Sequence, residues 1–177
     1  MGRILYIDGV ERLAHRLVQK GHKKKMKGTK AYALWATDNV KRSKDDQINT
    51  ALILLGSNID PEENIISALN YIQKLGTMGN QTDFIYTKPL QFEAQPDFLN
   101  GALLLHTCLP LEELQRKLKQ IELDMGRLRN ENKNTPRIID LDIITFNGSI
   151  ADEKDIVQLP FLYDFVKQLQ PEIFKWQ

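Results

Sequence analysis

Hydrophobic residues follow two different periods along this chain, and each change of period marks a predicted element. Ala51–Leu55 is a continuous apolar run, which is typical of a strand buried on both faces. Gly56-Ser57-Asn58 is a predicted turn. Asp60-Pro61 is a predicted helix start, because Asp60 can cap the first turn and proline suits the first helical position. Apolar residues then recur at helical spacing as far as Gly76, the predicted helix end, and these are Ile65, Leu69, Ile72 and Leu75.

Three further strands and one further helix follow. The predicted strands are Thr82–Thr87, Phe98–Thr107 and Ile138–Phe146. Between the last two strands, Leu109-Pro110 opens a helix that ends at Gly126, and its apolar face is formed by Leu111, Leu114, Leu118, Ile121 and Met125. The order β-α-β-β-α-β predicts an α+β fold of the ferredoxin-like sandwich type. Residues 155–177 hold an apolar and aromatic segment to which the pattern assigns no element.

Composition and charge exclude several classes of function. Of the 177 residues, 42% are hydrophobic and 27% are charged, which predicts a globular domain with a normal core. The formal net charge of +1 gives no general attraction to nucleic acid or to a membrane surface. Cys108 is the single cysteine, so no disulfide can form within the chain. Since the sequence has neither a secretory signal nor an apolar run of about 20 residues, we expect a cytoplasmic protein.

Residues 1–48 differ from the rest of the chain in composition. They contain a basic run at His22–Lys27 and a polar stretch at Lys41–Gln47, with little apolar periodicity. We expect a basic and polar N-terminal extension, partly helical or disordered, before a domain that spans residues 49–177. The alternatives are a basic arm for an acidic partner and a vector-derived or mis-started segment.

The strand Ile138–Phe146 carries two acidic residues in an otherwise apolar sequence. Because side chains alternate along a strand, Asp140 and Asp142 point to the same face, with Cα atoms roughly 6.5–7 Å apart. Adjacent like charges repel each other and lose hydration, so such a pair is kept mainly where a cation compensates for it. Carboxylate and phosphate oxygens are the ligands that Mg²⁺ prefers. The pair therefore predicts a metal site, and a strand edge with two solvated aspartates is the alternative.

Three arginines, Arg127, Arg129 and Arg137, lie shortly before the aspartates. Guanidinium groups bind phosphate oxygens in a bidentate fashion and keep their charge. Each arginine alone is as well explained by an ordinary surface ion pair. Together with the aspartates they predict a Mg²⁺–polyphosphate site of the kind that serves phosphoryl transfer.

Several motifs, in their order along the chain, resemble those of one family. Gly126-Arg127-x-Arg129 followed by Pro136-Arg137-x-x-Asp140-x-Asp142 resembles the signature of 6-hydroxymethyl-7,8-dihydropterin pyrophosphokinase. The resemblance covers about residues 50–146 and also includes Leu55–Asn58, Gln95–Asn100 and the helix Leu109–Met125 with Ile121-Glu122. It implies a ferredoxin-like α/β/α sandwich that transfers a pyrophosphoryl group from ATP to the hydroxymethyl group of the pterin. This reaction of folate biosynthesis gives AMP.

The resemblance also implies the residues of the phosphate side. Asp140 and Asp142 would hold two Mg²⁺ ions, with ATP as co-substrate. Arg127 and Arg137 would bind phosphates and stabilise the transferring group. The residues implied to lie beside the nucleotide are Glu122, Arg129 and the backbone near Ile143.

For the pterin pocket, the resemblance implies Thr87, Leu90, Phe98, Asn100 and Phe165. Asn100 would hydrogen-bond the heterocycle, and Phe98 would stack on it. A simpler interpretation of each stays open: Phe98 as core, Asn100 as the partner of a backbone group, and Gly56-Ser57-Asn58 as a turn only. The expected partners are ATP and the pterin, without nucleic acid or membrane. We expect a monomer that could associate with other folate-pathway enzymes.

The chain departs from the family pattern in its loop and its tail. Asn134-Thr135 stands where the family usually has Trp-Gly, while Phe161 and Tyr163 replace a histidine and an arginine that contact the ATP phosphates. Two lost cationic contacts would cost several kcal/mol of transition-state stabilisation at ~2–4 kcal/mol each. Lys133 and Lys167 are candidates to replace this charge. The alternatives are a catalytically impaired homologue that binds nucleotide or pterin or acts as a partner module, and a different Mg²⁺-dependent phosphoryl-transfer enzyme on the same fold.

Overall fold

Six strands form one sheet in the computed structural model, which describes residues 47–89, 95–127, 136–151 and 159–174. The strands are β1 Asn49–Ser57, β2 Thr77–Gln81, β3 Ile85–Thr87, β4 Phe98–Thr107, β5 Asp140–Phe146 and β6 Ser149–Ile150. The helices in the described part of the chain are α1 Pro61–Ile72, α2 Leu111–Asp124 and α3 Pro160–Leu169, with a short 3₁₀ helix at Pro171–Phe174. Every strand pair is antiparallel.

The apolar strand β1 lies at the centre of the sheet. It pairs with β4 along its whole length, from Asn49 opposite Thr107 to Ser57 opposite Leu99. On its other side it pairs with β5, so the strand order is β2-β4-β1-β5-β6, and β3 also pairs with β4. A central strand with neighbours on both sides needs apolar residues on both faces, which explains the continuous apolar run.

Alternate residues of β1 enter two separate cores. Ala51, Ile53 and Leu55 pack beneath α1 and α2, whereas Leu52 and Leu54 pack beneath α3 on the opposite face. Full burial of a leucine or isoleucine side chain contributes about 1.5–3 kcal/mol, so both helical layers are held mainly by apolar packing. The sheet is therefore covered by helices on both faces, and the predicted α+β class is confirmed.

Three predictions about strands were wrong in detail. Gly56 and Ser57 do not form a turn, because β1 continues through both and pairs them with β4. The predicted strand Thr82–Thr87 is replaced by β2 and β3, with Thr82 between them. The Thr82 hydroxyl accepts a hydrogen bond from the Ala102 backbone N–H at 2.9 Å. A side-chain oxygen thus accepts where a regular strand pair would use a backbone carbonyl. The last predicted strand begins at Asp140, not at Ile138.

Helix ends also differ from the prediction. Asp60 occupies the cap position of α1 with a left-handed φ of 38° and makes no side-chain capping bond. The Asn64 side-chain amide donates to the Ile59 carbonyl at 2.7 Å, which links the first turn of α1 to the residue before its cap. The helix ends at Ile72, before Gly76. Helix α3 was not predicted at all. The sequence carries two signals for it, since Pro160 stands at its start and the buried residues Leu162, Phe165 and Val166 form one apolar stripe.

Candidate active site

The two aspartates of β5 lie on the sheet face opposite the α1–α2 core. Leu141 and Ile143 pack in that core, so alternation directs Asp140 and Asp142 to the other face. Their side chains are 17% and 38% exposed, respectively. Both carboxylates are therefore within reach of a ligand but partly withdrawn from water, and like charges in that position require nearby cations.

Three cations surround this aspartate pair. The Arg127 guanidinium donates to Asp140 Oδ1 at 2.6 Å, and the Arg137 guanidinium forms an ion pair with the other oxygen of Asp140. The Lys119 ammonium lies 2.9 Å from Asp142 Oδ1 and 4.0 Å from Asp140 Oδ1. Two of these three cations were predicted from the sequence, and Lys119 was missed.

The position of Arg127 follows from the way in which α2 ends. Gly126 has a left-handed φ of 93°, a conformation that glycine adopts without strain. The Gly126 N–H donates to the Leu123 carbonyl and the Arg127 N–H to the Glu122 carbonyl, each at 2.9 Å. These are the two bonds of a Schellman motif. The predicted helix end at Gly126 is confirmed, and it turns Arg127 towards β5.

Glu122 and Lys119 of α2 hydrogen-bond to the backbone of β5 at Leu141. The Leu141 N–H donates to Glu122 Oε1 at 2.7 Å, and the Lys119 ammonium donates to the Leu141 carbonyl at 2.9 Å. Glu122 also accepts from Lys119 at 2.8 Å and forms an ion pair with Arg127. Its side chain is only 5% exposed, so these contacts compensate for burying a carboxylate.

A signal for Lys119 was present in the sequence. It follows the buried Leu118 and precedes Glu122 by three residues, which places both charged side chains on one side of α2. The pattern could not identify the aspartate that Lys119 contacts, because this depends on how α2 lies against β5.

Burial lowers the pKa of the Arg137 guanidinium from its usual value, and the neighbouring positive charge of Arg127 lowers it further. The negative charges of Asp142 and Glu122 act in the opposite direction. Because arginine starts from such a high pKa, the group remains a cation at neutral pH. A partly desolvated arginine of this kind interacts more strongly with an anion than an exposed one does.

Gly56 joins the aspartate pair to the pterin-side residues predicted on β4. It lies opposite Asn100 of β4 and opposite Asp140 of β5, so these three residues form one row across three strands. A Cβ at Gly56 would meet Asn100 Oδ1 at 2.6 Å. The missing side chain leaves the room in which the Asn100 amide oxygen lies over Gly56. Asn100 and Asp140 are two strand spacings apart, or about 10 Å. The next residues of this face, Leu54 and Ala102, are packed beneath α3.

The predicted pterin-side residues meet where β3 pairs with β4. The Asn100 side-chain amide donates to the Thr87 hydroxyl at 2.8 Å. Phe98 lies directly opposite Thr87 and is half-buried. An ion pair between Lys88 and Asp97, with 2.9 Å between Nζ and Oδ1, holds the two chain segments together beyond this point.

Asn58 links the segment before β5 to the segment before β4, and these two segments lead to the two ends of the row Asn100–Gly56–Asp140. This role was not predicted. The Asn58 side-chain oxygen accepts from the Arg137 backbone N–H at 2.6 Å, and its side-chain nitrogen donates to Gln95 and to the Pro96 carbonyl at 3.2 and 3.3 Å. The neighbouring Ser57 hydroxyl donates to the Ile138 carbonyl at 2.6 Å. The segment after β1 therefore does more than turn the chain.

Phe165 lies in a different environment from the other predicted pterin contacts. It is 5% exposed, packs in the core beneath α3, and contacts Phe161 edge to face with ring centroids 5.5 Å apart. Ile143 is likewise buried, in the α1–α2 core. Lys167, a candidate replacement cation, lies on α3 with its ammonium 6.0 Å from the Tyr163 ring centre. Three other residues considered from the sequence, Leu90, Arg129 and Lys133, lie outside the described residues.

The donor set at Asp140 and Asp142 fits Mg²⁺ that is bound together with phosphates. Within the described ranges, no three or more histidine, cysteine, aspartate or glutamate side chains form a protein-only metal site. Mg²⁺ typically uses one or two carboxylates and takes its other ligands from water and substrate phosphates. A pair of carboxylates, partly exposed and surrounded by cationic side chains, therefore matches that requirement. No helix in the described segments has the length and apolar character to cross a membrane.

Comparison with known proteins identifies relatives over the same segment. A family model described as 7,8-dihydro-6-hydroxymethylpterin-pyrophosphokinase (HPPK) matches residues 52–169, a range that includes every predicted site residue. The chain is 37% identical over 127 residues to the 2-amino-4-hydroxy-6-hydroxymethyldihydropteridine pyrophosphokinase of Bacillus subtilis (strain 168). This match covers 70% of the chain and 75% of that protein.

Two longer relatives match with similar identity. The chain is 35% identical over 123 residues to the Folic acid synthesis protein FOL1 of Dictyostelium discoideum, which covers 67% of the chain and 18% of that protein. It is 37% identical over 121 residues to the mitochondrial Folate synthesis bifunctional protein of Pisum sativum, covering 67% of the chain and 22% of that protein. The chain thus spans about a fifth of the length of these two relatives.

Proposed function

Because the chain belongs to the 7,8-dihydro-6-hydroxymethylpterin-pyrophosphokinase family, we propose that it transfers a pyrophosphoryl group from ATP to 6-hydroxymethyl-7,8-dihydropterin. The products are AMP and the pterin pyrophosphate, an intermediate of folate synthesis. The observation that carries the proposal is the row Asn100–Gly56–Asp140. It has a neutral amide at one end and a carboxylate among cations at the other end, about 10 Å apart.

The neutral end receives the pterin. Asn100 is buried and already donates to Thr87, so its side-chain oxygen, which lies over Gly56, is the group that would accept a hydrogen bond from the heterocycle. Phe98 supplies an apolar ring beside it for stacking. Leu90 and Phe165 are further pterin contacts in this proposal, and the burial of Phe165 limits it to an edge contact.

The charged end receives the nucleotide. Arg127 and Arg137 leave Asp140 in part and bind phosphate oxygens, which guanidinium groups hold through paired hydrogen bonds. Asp140 and Asp142 would hold two Mg²⁺ ions, which would neutralise charge on the transferring phosphoryl oxygens. Glu122, Arg129 and the backbone near Ile143 lie beside the nucleotide in this proposal.

The transfer requires no covalent intermediate on the protein. The pterin hydroxyl oxygen attacks the β-phosphorus of ATP and forms a new P–O bond. The bond between the β-phosphorus and the bridging oxygen of AMP breaks, and the hydroxyl proton is released to solvent. Positioning of the two substrates along one row of the sheet and stabilisation of the developing charge by Arg127 and Arg137 supply most of the rate enhancement.

Several features favour this activity over that of a catalytically impaired homologue. Both arginines and both aspartates are present, and ion pairs hold both arginines in contact with Asp140. Lys119 adds a cation at the same place. The Bacillus subtilis relative is named as the pyrophosphokinase. A cytoplasmic location, a monomeric state and an association with other folate-pathway enzymes stay predictions.

The test is AMP formation from Mg²⁺-ATP with and without the pterin. We expect AMP only with the pterin, and a loss of about 10²–10³-fold in rate in Asp142→Asn, since the charge that holds the metal is removed. Asp164→Asn is the matched control, because Asp164 is exposed on α3. Pterin-independent AMP, or no AMP from a folded protein that binds ATP, would contradict the proposal.

A further inference from the structure

Among the residues that the structure describes, Lys119 is the one cation of the site to which the proposed transfer gives no role. Its ammonium lies 2.9 Å from Asp142 Oδ1, 2.8 Å from Glu122 Oε1 and 2.9 Å from the Leu141 carbonyl oxygen. These contacts span α2 and the edge of β5. Lys119 therefore interacts with one of the two carboxylates assigned to metal binding.

The two aspartates are held in different ways. Asp140 is 17% exposed and is held by two arginines, whose planar groups fix geometry. Asp142 is 38% exposed, and its partner Lys119 is 46% exposed. A lysine ammonium is a point charge on a flexible four-carbon stem, so it can move without rearranging the helix that carries it. The pair of Lys119 and Asp142 is therefore the looser of the two.

An ammonium group and a divalent cation cannot share this carboxylate oxygen. Both are positive, and at a separation of a few ångströms in a partly desolvated site their repulsion is strong. Lys119 can leave without exposing a buried charge, because Glu122 keeps its bonds from Arg127 and from the Leu141 N–H. The Leu141 carbonyl, at a free strand edge, can accept from water instead.

We propose that Lys119 is the resident counter-ion of Asp142, that it gives up this carboxylate when a divalent cation binds, and that it then takes the nucleotide phosphates as its new partner. The identity of that nucleotide rests on the proposed function. Without a polyphosphate, the displaced ammonium loses an ion pair and gains only water. With a polyphosphate, it gains a charge-assisted hydrogen bond. Metal and nucleotide binding are therefore coupled through Lys119.

The test measures Mn²⁺ binding, by electron paramagnetic resonance of the free ion, with and without α,β-methylene-ATP, which cannot transfer its pyrophosphoryl group. In the unmodified protein we expect the analogue to tighten Mn²⁺ binding. In Lys119→Met, which keeps most of the apolar stem, Mn²⁺ should bind more tightly than in the unmodified protein when no nucleotide is present. The tightening caused by the analogue should shrink by about tenfold, within the usual range of coupling between sites.

Two variants serve as controls. Arg116→Met removes a cation from the same helix, where Arg116 pairs only loosely with the exposed Glu113 at 3.5 Å, and should behave as the unmodified protein. Lys119→Arg keeps the charge and should keep the weak nucleotide-free binding of Mn²⁺. Thermal unfolding of each variant verifies that it is folded.

Three results would overturn the proposal: nucleotide-free Mn²⁺ binding in Lys119→Met that is no tighter than in the unmodified protein, tighter binding with unchanged coupling, and no coupling in the unmodified protein. The test is independent of catalysis. A protein that forms no pterin-dependent AMP but shows the expected shifts would contradict the proposed function and leave the role of Lys119 standing. Pterin-dependent AMP without those shifts would support the proposed function and contradict the role of Lys119.

Discussion

The two ends of the row Asn100–Gly56–Asp140 are built on opposite principles. At the Asp140 end, charged side chains neutralise one another through short ion pairs among α2, β5 and the segment before β5. At the Asn100 end, one neutral hydrogen bond to Thr87 and one half-buried ring complete the described contacts of the predicted pterin residues. One strand, β1, lies between the two ends and contributes a glycine to the row.

This difference matches what each proposed substrate requires. Polyphosphate and metal bring charges of both signs, so groups that already pair internally can exchange partners without leaving any charge alone in a desolvated site. A flat heterocycle brings donors and acceptors in fixed positions, and a preformed neutral pocket discriminates them through hydrogen bonds and stacking. The charged end should therefore govern turnover, and the neutral end should govern pterin affinity.

The largest effect should come from Arg137→Met. The variant removes the guanidinium from Asp140 but keeps the backbone bond to Asn58, which accepts from the Arg137 N–H at 2.6 Å. Loss of one preorganised cation should lower kcat about 10²–10³-fold, while pterin affinity measured by calorimetry stays unchanged. A loss of pterin affinity as large as the loss of kcat would contradict the division of roles between the two ends.

A smaller effect, at the other end, should come from Asn100→Ala. It removes a buried amide and its 2.8 Å bond to Thr87, and thereby a partner for the heterocycle. We expect pterin affinity to fall about tenfold, as for loss of one to two buried hydrogen bonds, while binding of α,β-methylene-ATP is unaffected. Thr87→Val removes the same hydrogen bond but keeps Asn100. Its loss of pterin affinity therefore measures the part that comes from the positioning of Asn100. A weakened nucleotide affinity in Asn100→Ala would contradict the division.

The smallest effect should come from Gly126→Ala, which places a Cβ on a residue with φ 93°. The left-handed conformation should cost about 1–2 kcal/mol of stability and raise the KM for ATP by shifting Arg127. Gly148→Ala is the matched control, because Gly148 has φ 79° at the opposite end of β5 with nothing within 4 Å of an added Cβ. Denaturant unfolding should give similar losses for both variants, and steady-state kinetics should change only in the first. A changed KM in both would contradict the role given to Gly126.

The sequence predicts the parts of this molecule that depend on period and on helix ends. The run Ala51–Leu55 identified the central strand, and the alternation around Asp140 and Asp142 identified their shared face. Gly126 correctly predicted the end of α2. Such features are local, so neighbouring residues in the chain are sufficient to specify them.

The features that the sequence did not predict depend on contacts between distant segments. Lys119 reaches Asp142 across 23 residues, and Asn58 reaches Arg137 across 79. Strand β2, with the sequence TMGNQ, has no apolar alternation and forms only because β4 offers it an edge. No periodicity within one element encodes these contacts.

The most direct test of the central claim is the identity of the products that the unmodified protein forms from Mg²⁺-ATP and 6-hydroxymethyl-7,8-dihydropterin, measured by phosphorus nuclear magnetic resonance. A site with a pterin end and a phosphate end in one row predicts AMP and a pterin that carries a diphosphate, in equal amounts. ADP with a pterin monophosphate, or AMP with free pyrophosphate and unchanged pterin, would contradict it.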